Sequence, residues 1–125
     1  MKKIINTQNA PQAIGPYSQA VEANGTLYIS GQIPVNPKTG KIVEGGIKEQ
    51  TEQVMKNVLA ILDKGGYSFS NVVKSTVLLS DIENFAAMNS VYEKYYTENP
   101  PARAAYEVAN LPLKVMVEIE TIAVK

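Results

Sequence analysis

Histidine and cysteine are both missing from this chain of 125 residues. Their absence excludes a Ser-His-Asp triad, a Cys-His pair and an ordinary zinc site. Any catalysis must come from Arg, Glu, Asp, Lys, Tyr, Ser or Thr, or from backbone groups. That set suits gentle chemistry, such as adding water to a bond that is already electrophilic. Without cysteine there are no disulfides, which fits a reducing compartment. Neither sign of charge is in excess: 12 basic side chains balance 12 acidic ones, and no basic stripe is visible. A surface that tracks nucleic-acid phosphates is therefore not expected. No apolar run approaches membrane-spanning length, and Met1-Lys2-Lys3-Ile4-Ile5-Asn6 offers too few apolar residues for a signal-peptide core. There is no Gly-x-x-x-x-Gly-Lys-Ser/Thr phosphate loop, and Gly65-Gly66 has a helix-stop explanation instead. The expectation is a soluble cytoplasmic protein that uses no metal and no organic cofactor.

What is present is enough for one core. Hydrophobic residues make up 45% of the chain, too many for disorder, and no repeat or linker divides it, so residues 1–125 are expected to form a single domain. Lys3-Ile4-Ile5 suits a short first strand, Asn9 to Ser18 an ordered loop, and Thr26 to Gly31 a strand. Asn36-Pro37-Lys38-Thr39-Gly40 is a turn. Ile47, Val54, Met55, Val58, Leu59 and Leu62 recur at helical spacing and predict a helix over Ile47 to Lys64, stopped by Gly65-Gly66. Val72 to Leu79 is β-branched and predicts a buried strand. Ser80-Asp81-Ile82-Glu83 has the pattern of a capping box and opens a second helix, about Asp81 to Tyr96, with Ile82, Phe85, Met88, Val91, Tyr92 and Tyr95 facing inward. Pro100-Pro101 prevents its continuation. Two strands finish the chain, near Arg103 to Ala109 and Val115 to Val124.

The last strand alternates in an unusual way. Val117, Ile119, Thr121 and Ala123 share one face; Glu118 and Glu120 share the other with Met116, Ile122 and Val124. Arg103, Ala105 and Glu107 share a face of the preceding strand. Two helices can cover only one side of such a sheet. The other side then either lies against another subunit, leaving polar clefts between copies, or is a solvated outer face. Arg103 offers a planar fork that matches a carboxylate in two parallel hydrogen bonds. Its spacing equally suits a structural ion pair with Glu118, Glu120 or Glu107.

Three segments carry a resemblance along nearly the whole chain: Ala13-Ile14-Gly15-Pro16-Tyr17-Ser18-Gln19-Ala20, then Tyr28-Ile29-Ser30-Gly31-Gln32-Ile33-Pro34, then Pro101-Ala102-Arg103 with Val117-Glu118-Ile119-Glu120. In this order and at these separations they resemble the reactive intermediate deaminase (RidA/YjgF) family, in its arginine-containing branch. The resemblance implies an α+β, chorismate-mutase-like fold: a mixed sheet with two helices packed on one face, assembled as a homotrimer with sites at subunit interfaces. It also implies a cofactor-free 2-iminobutanoate/2-iminopropanoate deaminase. Such an enzyme hydrolyses the enamine/imine products of pyridoxal-phosphate-dependent dehydratases to 2-oxo acids and ammonia.

The Pro-Ala-Arg context, read through that resemblance, makes Arg103 the anchor of the substrate carboxylate. Glu118 is the candidate for activating water and moving protons, with Glu120 its rival on the same strand face. Burial would raise the Glu118 pKa, and a nearby Arg103 would lower it. Tyr17, held behind Gly15-Pro16, is expected to wall the cleft with its ring and to join the catalytic set through its hydroxyl, which hydrogen-bonds substrate or water. Ser30 has no histidine partner and is read as a hydrogen-bonding residue, and Gly31 allows close backbone approach to substrate, a strand-ending bulge being the alternative. Asn89 is expected to help line the site. Many relatives carry cysteine where this chain has Ala105; imine hydrolysis needs no thiol, and Ala105 still contributes backbone contacts and cleft shape. The segment between Asn89 and Arg103 is shorter than in some relatives, which alters the cleft rim. Two other functions remain open: a trimer that binds 2-oxo acids for regulation without turnover, and a ribonuclease-like inhibitor of translation. Neutral charge and the missing histidine argue against the second.

Overall fold

The computed structural model describes residues 1–125. Its elements run β1 (Lys3–Ile5), β2 (Ala20–Ala23), β3 (Thr26–Gln32), β4 (Val35–Asn36), β5 (Lys41–Ile42), α1 (Ile47–Gly65), β6 (Val72–Leu79), α2 (Phe85–Tyr92), β7 (Ala102–Glu107) and β8 (Val117–Val124). Six strands form one sheet in the order β1-β2-β3-β8-β6-β7, and β4 and β5 form a separate hairpin. Every pair in the large sheet is antiparallel except β6–β7, which is parallel and joined by the α2 crossover. The expected α+β architecture, with two helices on one face of a mixed sheet, is present.

The core lies between that face and α1. Leu27, Ile29, Val77, Leu79, Val117, Ile119 and Ala123 from the strands meet Val54, Met55, Val58, Ile61 and Leu62 from α1 and Met88 from α2, all buried. A fully buried side chain of this size stabilises the fold by about 1.5–3 kcal/mol, so this layer dominates the favourable side. α1 begins where the Glu49 carboxylate accepts the Gly46 N–H at 2.8 Å. It ends at Gly66, which takes a left-handed φ of 80° and donates its N–H back to the last turn.

Three local expectations need correction. β2 was not distinguished by its Ala-Val-Glu-Ala sequence; it forms because Asn24-Gly25, both left-handed at φ 52° and 76°, make a tight hairpin turn into β3. The second helix is shorter than Asp81 to Tyr96. Asp81, not Ser80, makes a side-chain cap, and it caps the 3-10 turn that precedes α2, its carboxylate accepting the Glu83 N–H at 2.9 Å. That turn spans Ile82–Asn84, and Ile82 is exposed rather than inward-facing. Past Tyr92 the bonds tighten to three-residue spacing, from Lys94 N–H to Val91 and from Tyr95 N–H to Tyr92. Tyr95 and Tyr96 there pack on Phe69, with ring centroids 5.3 and 5.2 Å away. Finally, β3 does not stop at Gly31 but bulges between Ile29 and Gln32 and continues.

The face of the sheet away from the helices carries Ile4, Tyr28, Tyr106 and Val124, each 41–51% exposed, interspersed with Glu118, Glu120 and Lys74. This is the mixed apolar and charged face expected from the strand alternation. No helix is long and apolar enough to cross a membrane.

Candidate functional site

Arg103 sits on the edge strand β7, paired in register with the fully buried Ser75 of β6, so its side chain points to the helix side. There it meets one face of α2. Its Nη1 donates to Asn89 Oδ1 at 2.7 Å. Its guanidinium carbon lies 4.8 Å from the Tyr92 ring centroid and 5.4 Å from that of Phe85, both within cation–π range. Residues 85, 89 and 92 recur at helical spacing, so one short helix supplies all three contacts. Beside them opens a cleft of about 380 Å³ lined by Asn89, Tyr92, Glu93, Tyr96, Pro100, Pro101 and Arg103.

The structural ion pair that the spacing of Arg103 also suited does not form. The chain's side-chain ion pair joins Lys94 to Glu52, 3.0 Å apart, and the Glu107 carboxylate instead accepts the Ile82 N–H at 2.9 Å. Arg103 is thus a half-buried cation with no carboxylate within 4.0 Å, Glu93 lining the same cleft without pairing to it. A guanidinium has five N–H donors, and Asn89 occupies one. Ala105, two residues on, shares the helix side and packs against the core.

Glu118 lies elsewhere. It is paired with Leu78 on β8, between the inward-facing Val117 and Ile119, so it projects from the opposite face of the sheet. The structure therefore does not bring Arg103 and Glu118 together within one chain. Burial raises the Glu118 pKa above its ordinary value, and the neighbouring Glu120 charge raises it further. The expected lowering by Arg103 is absent because the arginine is on the other side of the sheet.

The Glu118 carboxyl lies over Gly31. A Cβ on Gly31 would stand 2.9 Å from Glu118 Cδ and 3.1 Å from Cγ. Glycine is needed here for space, since its φ is not left-handed. The bulge that holds Gly31 also turns Ser30, whose hydroxyl donates to the Ser18 carbonyl at 2.6 Å and whose N–H donates to the Gln19 carbonyl at 2.9 Å. Gly31 and Tyr17 line a second cleft of about 300 Å³ together with Ile14, Ile33, Val35 and Leu113. Tyr17 is half exposed at its rim, its N–H turned back to the Gly15 carbonyl at 2.8 Å.

The predicted residues thus form two groups, Arg103–Asn89–Ala105 on the helix side and Glu118–Gly31–Ser30–Tyr17 around the β3 bulge. Sequence reasoning missed three residues that organise them. Gln19 lies inside a quoted motif without a role. Its buried amide donates to the carbonyls of Thr7, Ala10 and Pro11 and accepts the Thr7 N–H, which fixes the loop before Tyr17. Phe85 and Tyr92 were assigned to core packing; their spacing with Asn89 was the available signal. Burial raises the Tyr92 hydroxyl pKa, with Ser75 and the Arg103 charge opposing. No three acidic side chains converge in a way that would hold a metal ion.

Comparison with known proteins gives concordant results. The family model described as endoribonuclease L-PSP matches residues 7–125. The 2-iminobutanoate/2-iminopropanoate deaminase of Mus musculus is 50% identical over 125 residues, covering 100% of this chain and 93% of the mouse protein. YyfA of Yersinia pestis, from the conserved Rid protein family, has a TM-score of 0.97 at 48% identity, with 100% of both chains covered. TdcF of E. coli, crystallised with bound serine, has a TM-score of 0.94 at 42% identity over 98% of each chain.

Proposed function

We propose that this chain, which belongs to the endoribonuclease L-PSP family of Rid proteins, hydrolyses small 2-imino acids to 2-oxo acids and ammonia. The observation that carries the reading is Arg103, a half-buried guanidinium in a cleft, oriented by Asn89 and not ion-paired with any carboxylate of its own chain. Such a group is built to receive a carboxylate from outside. The 50% identity to the mouse imine deaminase over the whole chain supports the substrate class.

The chemistry asks little of the protein. Water adds to the imine carbon, forming a C–O bond as the C=N double bond becomes single and one water proton moves to nitrogen. The hydroxyl of this adduct then gives up its proton, C=O forms as the C–N bond breaks, and the second proton goes to the departing nitrogen, so that ammonia and the 2-oxo acid result. The imine carbon is already electrophilic, so no metal or organic cofactor is required. Glu118 accepts the proton of the attacking water and returns it to nitrogen. Its raised pKa brings its two protonation states closer in energy near neutrality, which suits a group that must both take and give a proton. Tyr17, Ser30 and Gly31 shape the cleft around it, while Asn89 and Ala105 support the arginine.

Since Arg103 and Glu118 face opposite ways in one chain, the working site takes Arg103 from one copy and Glu118 with Tyr17 and Gly31 from another. The half-exposed Ile4, Tyr28, Tyr106 and Val124 on the sheet face of Glu118 supply the surface for that contact. A homotrimer with three such clefts, in the reducing cytoplasm, is the assembly we infer. The mass of the native particle tests it directly, and a monomer with full activity sinks the shared-site reading.

Coupled turnover tests the activity. A serine or threonine dehydratase generates the reactive enamine in situ, and 2-oxo acid formation is followed with wild type and with Arg103→Ala. Acceleration by wild type alone is expected. If an intact assembly of either form leaves the rate unchanged, the deaminase reading fails and passive binding of 2-oxo acids replaces it. A nuclease role, which the family description names, lacks support in this chain: it has no histidine for the usual acid–base pair and no net positive charge to track phosphates.

A further inference from the structure

The contacts of Arg103 raise a physical question: what holds a half-buried guanidinium in place when no carboxylate is ion-paired with it? An unpaired arginine on an edge strand normally swings into water, because its long side chain carries about 2 kcal/mol of rotamer entropy. Here it lies against two aromatic rings and one amide, all from α2. The rings are themselves fixed. Tyr92 packs on Tyr96, with centroids 4.7 Å apart, and Tyr96 packs edge-on to Phe69. Both Tyr92 and Tyr96 are buried, and Phe85 packs against the core cluster.

We propose that Phe85 and Tyr92 are positioning residues that hold the Arg103 guanidinium in a receiving orientation while leaving its charge unneutralised for the substrate carboxylate. The proposal rests on the reading of Arg103 as the carboxylate anchor. Its physical basis is the difference between a ring and an acid as a partner for a cation. A carboxylate would orient the guanidinium equally well but would occupy two N–H donors and cancel the charge. Incoming substrate would then have to displace an anion. The face of a neutral ring attracts the cation through its quadrupole and takes none of the donors that lie in the guanidinium plane. With Asn89 using one N–H, four remain for a bidentate carboxylate. The arginine is ordered before binding, so little of its rotamer entropy remains to be lost at the moment of binding. Tyr92 serves as a neutral ring, burial raising its hydroxyl pKa above the ordinary tyrosine value. Phe85, Asn89 and Tyr92 act as one device because helical spacing stacks residues 85, 89 and 92 along one side of α2.

The test is calorimetric binding of 2-oxobutanoate, the product acid, to the intact assembly, beside its neutral amide, 2-oxobutanamide. Phe85 is replaced by phenylalanines carrying one, two and three ring fluorines, which drain the negative ring face with little change of shape. Stepwise weakening of 2-oxobutanoate binding with each fluorine is expected, reaching roughly 5- to 30-fold for the trifluoro ring, the range of a desolvated cation–π contact. Amide binding should change far less, and Phe85→Leu should match or exceed the trifluoro loss. At position 92, Tyr92→Phe should retain most of the affinity that Tyr92→Leu loses, since the ring remains. If Tyr92→Leu does not fold, the fluorine series at Phe85 decides alone. Affinity independent of fluorination overturns the proposal, as does equal weakening of acid and amide, which marks mere packing. Arg103→Ala separates the two levels. If it binds 2-oxobutanoate as well as wild type, the anchor reading itself is wrong. If it loses binding while the fluorine series is flat, the anchor stands and only the aromatic hold is refuted.

Discussion

Replacing Gly31 by alanine should damage the reaction far more than the fold. The added Cβ would stand 2.9 Å from Glu118 Cδ and 3.1 Å from Cγ, where carbon atoms prefer about 3.5–4.0 Å. Glu118 Oε2 would be closer still, in hard overlap with the new methyl group, so the carboxyl end of Glu118 must retreat by about 1 Å or more. The backbone has no objection, since Gly31 is not left-handed. Alanine gains about 0.4–1 kcal/mol through the unfolded chain, and overpacking costs about 1–3 kcal/mol. The overpacking outweighs the gain, leaving a net loss of about 1–2 kcal/mol. A proton-transfer group displaced by about 1 Å costs on the order of 100-fold in rate. Gly31→Ala should then lower kcat/KM in the coupled assay by about 100-fold, while Tm falls by only a few degrees. Glu118→Asp, one methylene shorter, withdraws from the new methyl group. In the Gly31→Ala background it should restore part of the activity, although alone it reduces it. That non-additivity is the signature of direct contact. Activity of Gly31→Ala within about threefold of wild type, or strictly additive losses in the double variant, would refute the reasoning.

Three further outcomes follow from the same geometry. Glu118 has its folded-state pKa raised above 4.5, so its contribution to stability is complete below that value and is lost as pH rises through the folded pKa. Glu118→Gln should therefore raise Tm at neutral pH, with the gain vanishing near pH 4, while turnover falls by about 100-fold or more; thermal scans across pH check the sign. Glu120→Gln removes the like charge that adds to the rise, so the limb of the kcat/KM profile belonging to Glu118 should move to lower pH, measured by the coupled assay from acid to neutral. Gln19→Ala strips the partners from three carbonyls and one N–H, and should cost about 1–3 kcal/mol in denaturant unfolding and loosen the loop that carries Tyr17.

Much of this protein was legible as local pattern. The apolar spacing of Ile47 to Leu62 specifies a helix, β-branched Val72 to Leu79 a strand, and alternation along Val117 to Val124 a sheet with one buried face, because each signal is repeated within a few residues of chain. Short elements were less legible: β2 depends on the Asn24-Gly25 turn rather than on its own residues, and α2 loses its ends to Asp81 and to the aromatic packing of Tyr95 and Tyr96. The site residues were found by motif, but their grouping was not. Arg103 and Glu118 belong to strands separated by β6 in the order β8-β6-β7, and the two side chains leave the sheet on opposite faces.

By itself, then, the sequence determined the chemistry available: no thiol, no imidazole, one arginine and 12 acids, with enough apolar periodicity to build one core. Only the tertiary structure decided what those groups face. It set Arg103 against Phe85, Asn89 and Tyr92 instead of a carboxylate, and Glu118 over Gly31 on the far side of the sheet. The physical reason is that periodicity reports which face of an element is buried, whereas the identity of the neighbour depends on strand order and register, which arise from pairings between distant parts of the chain.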